Sequence, residues 1–208
     1  MPIPRARTPL SLVVGRERRR ASDAEVARGL TADQDWAIAE AWHRFAPMVL
    51  MTAERALGSR SEAEDVAQEV FSRLFRKIKT LREPDRLRSF VYSFVTRVLK
   101  AELRARRVRR WFKLREAQTA TDFRAVDVES RDLLRRFDAL LDRLTPRDRL
   151  VFVLRRMESM TVDEISATME LSISTVKRSM THASERLSRW IEADPGLTGF
   201  LEERRWRR

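Results

Sequence analysis

Along most of this 208-residue chain, apolar side chains recur at three- and four-residue steps, the period of a helix with one face buried. From 34 to 57 the stripe is Trp36, Ile38, Trp42, Phe45, Val49, Leu50 and Leu57, with a bend expected near Pro47 and an end at Gly58. A second helix is predicted over 62 to 79, where Val66, Val70, Leu74 and Ile78 recur every fourth residue and Phe71 and Phe75 widen the stripe. A third is predicted from about 85 to 110, with Leu87, Val91, Phe94 and Val98 inward. These three can share one core.

Periodicity then fails. The stretch "EAQTATDFRAVDVES", 116 to 130, is small, polar and mildly acidic, and reads as a linker. Four short periodic segments follow, over 131 to 143, 146 to 157, 161 to 169 and 172 to 191. Helix starts are marked by "SDAE" (22 to 25), "SEAE" (61 to 64), "TPRD" (145 to 148) and "TVDE" (161 to 164), each with Ser or Thr three residues before a carboxylate. No alternating run suggests a sheet. The fold class expected is all-α, two small helical bundles joined by a flexible linker. The divisions are a basic, largely disordered arm (1 to 33), a first bundle (34 to 112), the linker (113 to 130), a second bundle (131 to 191) and a basic tail (192 to 208).

The last two segments change the picture from architecture to chemistry. Val162, Ile165 and Met169 mark one buried side, Val176, Met180, Ala183, Leu187 and Trp190 the next, and only "ELS" separates them. Two short helices so joined, the second capped by Ser172, have the layout of a helix-turn-helix whose second helix enters the major groove. Outside its apolar stripe stand Ser174, Thr175, Lys177, Arg178, Thr181 and His182. Lys177 and Arg178 suit phosphates or guanine edges, the short hydroxyl side chains allow close approach, and His182 is placed to contact a phosphate.

Charge supports that reading. Lys and Arg number 43 against 31 Asp and Glu, a net charge of +12, which draws a chain toward polyanions. On the third predicted helix, Arg97, Lys100, Arg104 and Arg107 form a stripe opposite Val91, Phe94 and Val98, with Ser93 and Tyr92 upstream. Such a stripe can follow a phosphate backbone, and Tyr92, if exposed, could stack on an unpaired base. Over 62 to 79, acid precedes base along the helix, which complements its dipole without requiring a partner.

Other classes fare worse. Cysteine is absent, so neither a disulfide framework nor a thiolate metal site can form, in keeping with a reducing cytoplasm. "LSLVV" is too short for a secretory core, and no apolar run approaches the ~18 residues of a membrane span. The Arg-rich start resembles a transit peptide in composition, although a disordered basic arm explains it as well. Two histidines, His43 and His182, no phosphate-cradling loop and no metal-spaced cluster leave no catalytic or metal-binding residue to assign and no cofactor to expect.

At this point the residues resemble a known family. "SEAEDVAQEVFSRLFRKI" (61 to 78) is similar to the polymerase-binding helix of region 2 in bacterial sigma factors. "LTPRDRLVFVLRRMESMTVDEISATMELSISTVKRSMTHASERL" (144 to 187) is similar to region 4, and the compact length resembles the extracytoplasmic-function group. The resemblance implies a protein, monomeric when free, that joins core RNA polymerase and directs promoter-specific initiation, region 2 recognising and melting the minus-ten element as duplex gives way to single strand, region 4 reading the minus-thirty-five element. It implies polymerase contacts at Asp65, Gln68, Glu69 and Arg73. It implies minus-ten contacts at Ser93, Arg97, Lys100 and Arg104, beside which the residue pattern places Tyr92 and Arg107, and it implies an anti-sigma factor as a candidate partner. The chain departs from the family pattern at Glu170, where Gly is usual in the turn, at Ser166 for Ala, at Phe90 for Trp and at Arg97 for Asn. A left-handed backbone at Glu170 should cost of order 1 kcal/mol. An autonomous helix-turn-helix regulator is the competing reading; it requires a dimer and leaves the 61 to 78 helix without a job.

Overall fold

A computed structural model of the chain describes residues 21 to 113 and 128 to 198. All regular elements among them are helical, in the order α1 (Asp23–Thr31), α2 (Asp35–Leu57), α3 (Arg60–Lys77), α4 (Leu87–Lys113), α5 (Val128–Leu141), α6 (Pro146–Arg156), α7 (Val162–Met169) and α8 (Ile173–Glu192). Single 3-10 turns at Ile78–Thr80 and Pro84–Arg86 carry the chain from α3 into α4. No helix among the described residues is long and apolar enough to cross a membrane.

The local signals act largely as the sequence suggests. Ser22 and Thr161 form full capping boxes with Glu25 and Glu164, and Thr145 accepts from the Asp148 N–H with Pro146 in the first turn. At α3 the cap is Ser59, not Ser61: the Ser59 hydroxyl takes the Glu62 N–H, which leaves Ser61 inside the first turn. Pro47 lies inside α2, and Gly58 ends that helix in the left-handed region at φ 70°. Residues 23 to 31, expected within a disordered arm, form α1, because Val26, Ala27 and Leu30 bury against the rest. The arm before residue 21, most of the linker and the tail beyond 198 lie outside the described residues. At the linker's ends, Lys113 closes α4 and α5 begins at Val128.

Two apolar clusters organise the helices. The smaller joins Leu140, Leu141, Leu144, Phe152, Ala183, Leu187, Ile191 and Leu197, tying α5 and α6 to α8. The larger runs from Val26 through Phe45, Val70, Val91 and Leu99 to Leu150, Leu154, Ile165 and Val176, so it crosses from α1–α4 into α6–α8 without a gap. The two halves therefore pack on each other, with α7 and α6 against α4 and α6 against α2. Not all of the predicted stripe is buried. Trp36, Ile38 and Trp42 on α2 are exposed, and Trp42 instead lays its ring beside Phe71 of α3 at 4.4 Å.

The seam between the halves is polar as well. Arg55 of α2 donates to the Met157 carbonyl at 2.8 Å and pairs with Glu158 at 2.8 Å. Arg106 of α4 donates to the Leu57 carbonyl at 2.5 Å and reaches both Glu62 and Asp142 at 3.7 Å. Behind it Arg149, 1% exposed, bonds Asp138 at 2.6 Å and also holds Asp142. Burial pushes the Asp138 carboxyl up from its ordinary range, against the pull of the Arg149 guanidinium.

Candidate nucleic-acid and protein interfaces

The α7–α8 pair is built from its turn outward. Glu170 ends α7 at φ 55°, ψ 46°, and its N–H bonds the Ser166 carbonyl. Ser166 then does more than a small side chain would: its hydroxyl donates to the Leu171 carbonyl at 2.6 Å, while Leu171 N–H returns to the Ser166 carbonyl at 3.0 Å. The turn is thus pinned from both sides. Ser172 caps α8 by accepting from the Thr175 N–H at 3.2 Å. Ile165 and Met169 of α7 and Val176 and Ala183 of α8 are buried.

That packing fixes which way α8 faces. Ser174, Lys177, Arg178, Thr181 and His182 are exposed on one side, and Thr175 is half-buried beside the Ser172 hydroxyl at 2.8 Å. No acidic residue falls between Ile173 and Ser184, so the surface is cationic and short-chained over its first three turns. Thr181 spends its hydroxyl on the Lys177 carbonyl at 3.2 Å. The far end is closed by Trp190, half-buried, with the Arg143 guanidinium over its ring at 4.2 Å.

On α4 the stripe survives in part. Arg97, Arg104 and Arg107 are exposed, and Ser93 and Lys100 are half-exposed. Tyr92 is not available for stacking: it is 6% exposed, covered within the larger core, with Arg88 6.0 Å from its ring centroid, and burial raises its phenol pKa. Ser93 donates to the Phe90 carbonyl at 2.7 Å. Arg97 rests 5.8 Å from the Phe94 ring and ion-pairs with Glu170. Two of the four departures from the family pattern, Arg97 and Glu170, far apart in sequence, are thus one contact. Nothing in the period of either helix announces it.

On α3, Val66, Val70, Phe71 and Leu74 turn inward, and Asp65 and Gln68 are fully outward. Glu69 and Arg73 pair with each other at 2.5 Å along the same side. Trp42, a member of the predicted α2 stripe, is 47% exposed beside Phe71 of this helix.

Comparison with known proteins matches these units. The family pattern of Sigma-70 region 2 fits residues 41–109, and that of Sigma-70 region 4 fits residues 134–187. The ferric citrate uptake sigma factor FecI of Escherichia coli is 29% identical over 137 residues, 63% of this chain and 77% of FecI. The ECF RNA polymerase sigma factor SigE of Mycolicibacterium smegmatis is 26% identical over 157 residues, 71% of this chain and 59% of SigE. In fold, the chain is similar to CnrH in its complex with the cytosolic domain of CnrY, with a TM-score of 0.60 and 22% identity over 84% of this chain and 99% of that one. It is also similar to the sigma factor RpoE bound to the anti-sigma factor NepR from Bartonella quintana, with a TM-score of 0.55 and 16% identity over 75% and 97%.

Proposed function

The chain belongs to the sigma-70 family, carrying region 2 and then region 4 in the compact extracytoplasmic-function arrangement, and from that premise we infer how its surfaces divide the work of initiation. As a sigma factor it binds core RNA polymerase and directs initiation at particular promoters. The observation that carries the division is the outward set on α8: Ser174, Lys177, Arg178, Thr181 and His182 clear of the core on the second helix of a pinned helix-turn-helix. In this reading α8 enters the major groove at the minus-thirty-five element, Lys177 and Arg178 taking guanine edges or phosphates and the hydroxyl residues keeping the helix close.

Region 2 takes the minus-ten element along α4. Arg97, Lys100, Arg104 and Arg107 follow the backbone as strands separate, with Ser93 at the upstream end; Tyr92 serves the core and not the DNA in this arrangement. Asp65, Gln68, Glu69 and Arg73 on α3 form the surface offered to polymerase. An anti-sigma factor is a partner of the same class that would cover these faces.

Run-off transcription with purified core polymerase, on the promoter upstream of the protein's own operon, tests this reading. A transcript that depends on both proteins is expected. A dimer that binds an operator unaided and ignores polymerase would overturn it in favour of an autonomous regulator.

A further inference from the structure

We propose that Ser166 is a positioning residue for promoter recognition: its hydroxyl holds the turn between α7 and α8 in the backbone conformation that aims the outward face of α8, a task imposed by Glu170. The proposal rests on the reading of α8 as the helix that enters the major groove at the minus-thirty-five element.

Three hydrogen bonds of this turn converge on Ser166. The Glu170 N–H and the Leu171 N–H both return to its carbonyl, the second at 3.0 Å, and its hydroxyl donates to the Leu171 carbonyl at 2.6 Å. The first two are the ordinary close of a helix whose next residue is left-handed, and any residue at this position makes them. The third depends on the side chain. A serine hydroxyl inside a helix commonly turns back to a carbonyl three or four residues earlier, whereas this one reaches forward, past the end of its own helix.

Glu170 supplies the need. Its φ of 55° lies in the left-handed region, which glycine enters freely and a residue with a Cβ does not. A right-handed Glu170 would carry α7 on by a residue and swing the start of α8 aside, so glutamate brings a competing backbone state into the turn. Its carboxylate gives little help, since it crosses to Arg97 in a pair whose side chains are 51% and 68% exposed, and such pairs are weak.

The Leu171 carbonyl is the lever. It belongs to the peptide that joins Leu171 to Ser172, the cap of α8. Ser172 in turn accepts from the Thr175 N–H at 3.2 Å and lies 2.8 Å from the Thr175 hydroxyl. Holding that peptide sets the direction in which α8 departs, and the exposed reader face begins two residues past the cap, at Ser174. Ser166 is half-buried on α7 and takes no place on that face, so it acts on DNA through direction alone.

The test compares holoenzyme affinity for the promoter upstream of the protein's own operon with affinity for the same DNA carrying a scrambled minus-thirty-five element. Ser166→Ala is expected to lower the ratio of the two roughly three- to tenfold, the population weight of one neutral hydrogen bond, while affinity for the scrambled promoter and for core polymerase stays at the wild-type value. Glu170→Gly added to Ser166→Ala is expected to restore the ratio, because glycine takes the left-handed backbone without a clamp. Glu170→Gly alone is expected to keep it. Thermal melts of each variant read the fold independently of DNA. The proposal is overturned if Ser166→Ala keeps the wild-type ratio, if it weakens both promoters equally or fails to fold, so that the hydroxyl serves the fold and not the aim, or if Glu170→Gly does not restore the ratio. Failure of the α8 reading would appear separately, as wild-type holoenzyme that binds both promoters alike.

Discussion

Gly58 and Asp138, one closing α2 and the other on α5, share a space too small for a methyl group: a Cβ on Gly58 would stand 2.3 Å from Asp138 Oδ2. Two requirements meet there. Gly58 takes a left-handed backbone to return its N–H to the Glu54 carbonyl at 2.7 Å, and Asp138 presses against it because Arg149 holds the carboxylate at 2.6 Å. Region 2 and region 4 therefore meet at a point with no slack.

Gly58→Ala tests that fit. The left-handed conformation alone should cost roughly 1–2 kcal/mol for a residue with a Cβ, and the collision with Asp138 adds to it or drives the units apart. A lowered urea midpoint is expected, together with a more open chain by scattering. A stable, equally compact Gly58→Ala protein would show that the seam yields more easily than its geometry suggests.

Arg149 makes the larger prediction. It is a fully buried cation between Asp138 and Asp142, so Arg149→Met leaves the two carboxylates with only the more distant Arg106, 3.7 Å from Asp142, as counter-charge, a loss of order 3–5 kcal/mol in chemical denaturation. The pH dependence has a definite sign. Asp138 already titrates above its reference of 3.8, the proton-bound form being favoured by burial, so its contribution is fully present below that value and is lost as pH rises through the raised folded value. Without Arg149 the rise is steeper, and the variant should lose stability progressively from about pH 4 upward.

Why was this seam invisible in the sequence when the helices were not? Periodicity reports which face of a helix is buried, and it places Val66, Val70, Leu74, Val91, Phe94 and Val98 correctly, as the punctuating residues do the end at Gly58 and the Ser172 cap. It does not report against what. Leu150, Ile165 and Val176 fit a self-contained second bundle as well as they fit a core continued from the first. Trp42 fails for the complementary reason, since its period is right while its neighbour Phe71 covers only one side of the ring. Of the candidate DNA residues, the outward placement of Ser174, Lys177, Arg178, Thr181 and His182 on α8 is legible because charge and short side chains coincide on one face. Tyr92 was misplaced because an aromatic at the edge of a stripe can turn either way, and α4 here is covered on that edge. The Arg97–Glu170 pair needs tertiary knowledge outright.

Lys177→Ala and Arg178→Ala separate reading from folding. Both side chains are exposed and on the face of α8 away from Val176 and Ala183, so thermal stability should stay within about 0.5 kcal/mol of wild type. Promoter binding by the holoenzyme should weaken by roughly 1–3 kcal/mol for each residue that reads a base edge, with altered sequence preference, whereas loss of a phosphate contact would weaken binding about equally on all sequences and reduce the salt slope. Polymerase binding should be untouched in either case.

The reverse pattern is expected on α3. Asp65→Ala and Gln68→Ala remove outward groups that no core residue covers, so the helical signal should persist. Affinity for core polymerase should fall by on the order of 1–2 kcal/mol each if they lie within the buried part of the interface. Competition for core against wild-type protein measures it.

The capping box of α7 offers a test that touches neither surface. α7 has only eight residues, too few to stand without its ends, and its start is held by Thr161 accepting from the Glu164 N–H at 3.2 Å while Glu164 accepts from the Thr161 N–H at 2.7 Å. Thr161→Ala should cost about 0.5–2 kcal/mol, and because α7 orients α8 it should loosen minus-thirty-five recognition as well. The hydrogen bonds from the Thr161 backbone and hydroxyl hold the Glu164 carboxyl below its reference of 4.5. Its contribution is therefore present above pH 4.5 and lost as the pH falls through the depressed folded value. The gap between Thr161→Ala and wild type should narrow, without closing, as solutions are acidified below pH 4.5, since only the hydroxyl's bond to the Glu164 carboxylate titrates while its bond from the Glu164 N–H does not; a gap that stays constant would mean that the hydroxyl contributes through the Glu164 N–H alone.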